Sequence, residues 1–125
     1  MNAILALLVL GLAGLVAAQG QGGPQYTTRF DNVNLDDILS NDRLYRKYYD
    51  CLMSRGKCTP DGKELKERLP EAMRTRCEKC TPRQKAGAEK VVRFLLKKKP
   101  ADYEALERLY DPTQAYRKFL LSKKQ

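Results

Sequence analysis

Apolar residues recur along this chain at helical intervals almost from end to end, and no stretch makes a convincing half-buried strand. The first apolar run, Ile4 to Val16, is broken only by Gly11 and Gly14. It is too short to span a bilayer, which takes about 20 apolar residues. Val16-Ala17-Ala18 then offers the small side chains that a signal peptidase reads. Residues 1–18 therefore read as a secretory signal peptide and 19–125 as one mature domain. The signal departs from the usual pattern in one respect, an n-region with no Lys or Arg. No later segment is apolar enough to span a membrane.

After a Gly-rich leader, Gln19 to Gln25, the segment Tyr26 to Phe30 reads as an extended arm. Asn34 or Asn32 is placed to cap a short helix carrying Leu35, Ile38 and Leu39, with Asp36 and Asp37 in its first turn where the dipole favours acids. Asn41 starts a second, with Leu44, Tyr45, Tyr48, Tyr49 and Leu52 on one face and Gly56 as its expected end. Thr59-Pro60 and Thr81-Pro82 each pair a cap with proline in the first turn. The helix after Thr59 shows Leu65, Leu69, Ala72 and Met73, with Pro70 expected to kink or split it. The helix after Thr81 carries Ala88, Val91, Val92, Leu95 and Leu96, closed by Lys97 to Lys99 and stopped by Pro100. Two more follow, on Tyr103, Leu106, Leu109 and Tyr110, then on Tyr116, Phe119 and Leu120. The expectation is an all-α domain of about six helices, several too short to stand alone.

The chemistry that is missing narrows the function. Histidine is absent from all 125 positions, which removes Ser–His and Cys–His pairs and every His-containing zinc site. Ser40, Ser54 and Ser122 lie in no nucleophile-elbow pattern, and there is no Gly-rich phosphate loop. The carboxylate pairs Asp36/Asp37 and Glu64/Glu67 have a simpler role at helix N-termini. No catalytic residue, metal site or cofactor is expected. The net charge of +9 permits anionic partners, but the basic residues are mostly interleaved with acidic ones, as on a solvated surface. Nucleic acid is not an expected partner.

Leu39, Leu44, Leu65, Leu69, Met73, Val92, Leu95 and Leu106 face inward on any helical reading, and sequence does not sort core from cavity wall. Cys51, Cys58, Cys77 and Cys80 give the spacing C-x6-C-x18-C-x2-C. That fits neither a four-thiolate zinc site nor a thioredoxin-like redox motif, so two disulfides are expected. Three connectivities remain open; a local one would flank a helix junction with each pair.

The cysteine spacing, together with Tyr26-Thr27-Thr28-Arg29-Phe30-Asp31-Asn32-Val33-Asn34-Leu35-Asp36-Asp37-Ile38-Leu39, resembles the insect chemosensory proteins. So do Cys58-Thr59-Pro60-Asp61-Gly62-Lys63-Glu64-Leu65-Lys66 and Tyr110-Asp111-Pro112, so the likeness covers essentially the whole mature chain. The resemblance implies six helices around an apolar channel, with bridges between neighbouring cysteines. It further implies a carrier of small hydrophobic molecules such as fatty acids, esters and semiochemicals, secreted into the lymph around sensory neurons or other extracellular fluid. With it, Phe30, Tyr48, Tyr103 and Tyr116 become candidate channel-lining residues beside the eight inward positions. Tyr103 and Tyr116 stand where the family often has Trp, and Phe30 where it has Tyr; the chain has no Trp.

The expected carrier is a monomer that draws an apolar tail from water, the polar head staying at the mouth near a tyrosine hydroxyl or a Lys/Arg. A membrane receptor is a further candidate partner. Two other classes compete: an extracellular signalling or developmental factor, marked by saturable receptor binding, and a basic membrane-active defence protein, marked by leakage of anionic vesicles.

Overall fold

The computed structural model describes residues 25–123, so the signal-peptide reading of 1–18 lies outside the described residues. Within them the chain forms six helices: α1 (Leu35–Ser40), α2 (Asp42–Leu52), α3 (Pro60–Arg74), α4 (Pro82–Lys98), α5 (Pro100–Tyr110) and α6 (Ala115–Ser122). Each start has a local cause. Asn34, Asn41, Thr59 and Thr81 accept the backbone N–H groups of Asp37, Leu44, Gly62 and Gln84. The Thr81 N–H in turn donates to Gln84 Oε1 at 3.0 Å, completing a capping box. Pro100 both ends α4 and opens α5, because a residue without an N–H fits the first turn of a helix. The start of α6 is held by Asp111, whose two carboxylate oxygens accept the N–H groups of Ala115 and Tyr116 at 3.1 and 3.0 Å.

Two boundary expectations are corrected. The second helix ends at Leu52, four residues before Gly56, because Ser54 takes a left-handed φ of 60° and Cys51–Cys58 draws the chain back toward α3. Pro70 does not split α3, which runs unbroken from Pro60 to Arg74. Pro70 is exposed, so water can stand in for the donor that proline lacks. The second bridge, Cys77–Cys80, closes the junction between α3 and α4, where Arg76 and Cys77 have φ of 57° and 63°. Both bridges therefore pin corners between helices.

The core is the cluster Tyr45, Tyr49, Met73, Val92, Leu95, Tyr103, Leu106, Tyr116 and Leu120. The most extensive helix contacts are α1 with α2 and α4, α2 with α3, α3 with α5 and α6, and α4 with α5. An ion pair reinforces the α5–α6 corner: Arg117 donates to both carboxylate oxygens of Glu107 at 2.9 and 3.0 Å, and the Glu107 side chain is only 5% exposed. A buried carboxylate needs such a partner to offset its desolvation.

Candidate functional site

The helices do not close on one another completely. Between them lies a cavity of about 740 Å³, with walls contributed by all six helices and by the arm that precedes α1. That volume falls within the usual range for small-molecule sites.

The arm and α1 form one side through Phe30, Val33, Leu35, Ile38 and Leu39, all half-buried. Helix α1 presents these because Leu35, Ile38 and Leu39 repeat at helical spacing on one stripe. Leu35 seats over Gly87 of α4, where a Cβ would come within 3.1 Å of its Cδ1. From α2 come Tyr45, Tyr48, Tyr49 and Leu52; from α3, Leu65, Leu69, Ala72 and Met73. From α4 come Ala88, Val91, Val92 and Leu95, and the deep end holds Tyr103 and Leu106 of α5 with Tyr116 of α6. Tyr103 is 1% exposed and Tyr116 3%, whereas Leu65 is 46% exposed, which separates floor from rim.

Of the residues singled out from sequence, Phe30, Leu39, Tyr48, Leu65, Leu69, Met73, Val92, Leu95, Tyr103, Leu106 and Tyr116 thus meet around one space. Leu44 does not reach it. Asn41 caps its N–H, which places Leu44 in the first turn of α2, and helical side chains lean toward the N-terminus. That lean carries it toward the helix end, while Tyr45, Tyr48, Tyr49 and Leu52 extend the wall. Tyr45, Tyr49, Val91 and Tyr110 were legible as inward positions but carried no mark that set wall apart from core.

The tyrosines show rings to the cavity and commit most of their hydroxyls to the frame. Tyr45 donates to Asp102 Oδ2 at 2.7 Å and Tyr49 to the Asp102 carbonyl at 3.2 Å, locking α2 onto α5. Tyr48 donates to Asp61 and Tyr110 to the Leu52 carbonyl. Tyr26 donates to Glu71 at 2.7 Å and is pushed up to about 12 by burial first and then by that carboxylate. Burial, then Asp102, raises Tyr45, and burial, then Asp61, raises Tyr48, so all three remain neutral donors across the physiological range. Tyr103 differs from these five: its buried hydroxyl has no hydrogen-bond partner.

The carboxylates in the wall are likewise engaged. Asp31 accepts from Gln84, Asp36 pairs with Lys90, Asp61 accepts from Tyr48 and Thr59, and Glu64 pairs with Arg68. Among the described residues no group of three or more Cys, Asp or Glu is arranged to hold a metal ion, and no helix is long and apolar enough to cross a membrane. The arrangement can enclose an apolar chain; its ionisable groups serve to hold the walls.

Comparison with known proteins agrees with this geometry. The chain is 47% identical over 116 residues to ejaculatory bulb-specific protein 3 of Drosophila melanogaster, covering 93% of this chain and 88% of that one. It is 41% identical over 110 residues to allergen Tha p 1 of Thaumetopoea pityocampa, covering 88% and 87%. A solved chemosensory protein in complex with bromo-dodecanol superposes with a TM-score of 0.74 at 47% identity, over 77% of this chain and 96% of that one. Antennal chemosensory protein A6 from the moth Mamestra brassicae does so with a TM-score of 0.66 at 47% identity, over 77% and 89%. Residues 26–118 match the model of the insect pheromone-binding family A10/OS-D, and the chain belongs to that family, the insect chemosensory proteins.

Proposed function

We propose that the mature protein is a secreted carrier that takes up one small hydrophobic molecule of the long-chain kind from extracellular fluid and shields it from water. The observation that carries this reading is the cavity itself: about 740 Å³ of space lined mainly by apolar and tyrosine side chains, in a domain otherwise able to pack a core. Each methylene moved from water into such a space contributes about 0.8 kcal/mol, so affinity should rise with chain length until the cavity is full. The bound bromo-dodecanol of the related solved protein supports an apolar chain with a small polar end as the ligand type. The engaged wall carboxylates support binding in place of catalysis. The apolar run before Gln19 supports export.

The test is a fluorescent-probe titration of oxidised residues 19–125, followed by displacement with alcohols, esters and fatty acids of increasing length. Saturation at one site per chain, with displacement improving with length, is the expected result. An intact protein that takes up no probe and no ligand would remove the carrier reading.

A further inference from the structure

Tyr103 Oη is the single buried side-chain nitrogen or oxygen without a hydrogen-bond partner among the described residues. A buried hydroxyl left unpaired costs about 1–3 kcal/mol, and native proteins seldom keep one without a use. Its residue is 1% exposed and belongs both to the core and to the floor of the cavity. The ring is held in place: the Arg117 guanidinium lies 5.3 Å from its centroid, and Arg117 is itself fastened by Glu107.

We propose that this hydroxyl is the recognition point for the ligand's polar end. The carrier takes its amphiphile oxygen-first, and Tyr103 donates its O–H to a neutral acceptor oxygen, that of an alcohol, aldehyde or ester, at the cavity floor. This rests on the carrier reading and reverses the orientation expected from sequence, with the head at the mouth. Two observations select a neutral end. Burial, then the Glu107 and Asp111 carboxylates, raise Tyr103 above its ordinary value, so it stays a donor. Those two carboxylates face the single cation of Arg117, which lowers Tyr103 by less than they raise it, so a further negative charge from a fatty-acid carboxylate is disfavoured there. The oxygen has almost no accessible surface, so a ligand has to part neighbouring side chains to reach it. Met73, in the same wall and unbranched with three soft torsions, is suited to yield.

The experiment compares the oxidised protein with its Tyr103→Phe variant, using 1-dodecanol, n-dodecane and dodecanoate to displace one fluorescent probe. The variant should weaken 1-dodecanol about five- to tenfold, the worth of one hydrogen bond, and leave n-dodecane and dodecanoate unchanged. Because it deletes an orphaned group, its melting temperature should not fall. An independent readout on the unaltered protein is the infrared carbonyl stretch of bound methyl dodecanoate. It should lie lower than in a hydrocarbon solvent, and Tyr103→Phe should abolish that shift. Equal loss for alcohol and hydrocarbon, no loss for either, or an unshifted carbonyl would overturn the assignment while leaving the carrier reading intact. Failure of all ligands to displace the probe from the unaltered protein would overturn both.

Discussion

The two ends of the cavity are built differently. At the floor, α5 and α6 place Tyr103 and Tyr116 at 1% and 3% exposure with Leu120 buried in the core beside them, and the corner is tied by Glu107 to Arg117 and by Asp111 to the start of α6. At the cover, α1 has six residues and none is buried. It rests on the cavity through half-buried Leu35, Ile38 and Leu39, aided by an exposed ion pair between Asp36 and Lys90, a kind that contributes little. A short helix without a buried face draws its order from what it covers. The contrast gives a carrier a deeply buried surface at one end of the cavity and a lightly buried one at the other.

Substitutions should show the asymmetry. Arg117→Ala leaves Glu107 buried without its cation and should lower stability by about 3–5 kcal/mol, read by thermal or denaturant unfolding; a loss comparable to a surface pair would mean that the floor is not held as described. Leu120→Ala in the core of α6 should cost about 3 kcal/mol, whereas Leu39→Ala on the cover should cost about 1 kcal/mol and mainly speed ligand release. Comparable losses at the two sites would erase the contrast. Gly87→Ala is smaller still. Its Cβ would press on the tip of Leu35, a flexible group, while alanine favours the helix by about 1 kcal/mol. Global stability should hardly move, while amide exchange in α1 quickens relative to α5.

The smallest effect concerns pH. Tyr26 first, then Lys79, hold Glu71 below its ordinary value. That contribution is present above about pH 4.3 and is lost as the pH falls through the lowered folded value. Tyr26 is raised, so its share is present below about pH 10 and fades as the pH rises toward about 12. Arm signals in NMR should therefore broaden or shift at both extremes while those of α5 hold. Arm signals that track global unfolding at both ends would show that the arm has no separate docking equilibrium.

The helices were legible because their signals are local. Caps at Asn41, Thr59 and Thr81 act within three residues, and the Leu65, Leu69, Met73 stripe needs only the 3.6 period. Pro70 does not split its helix because it is exposed, and the penalty of an internal proline depends on whether its face meets solvent. Gly56 misled because a bridge and a left-handed serine ended α2 first. The cavity was legible only as a set of inward residues. Val92 and Leu106 have the same periodicity whether they meet a neighbour or an empty space. Which hydroxyls are free was not legible at all, since Tyr45 with Asp102 and Tyr26 with Glu71 are partners separated by 57 and 45 positions.

Whether a ligand sits between a fixed floor and a yielding cover is decided by NMR titration of the oxidised protein with 1-dodecanol. The prediction is saturable one-site binding, with shifts at the Met73 and Leu39 methyls and the Tyr103 ring and with slowed amide exchange in α1. Absence of saturable shifts, or shifts confined to exposed residues such as Leu109 and Leu121, would contradict it.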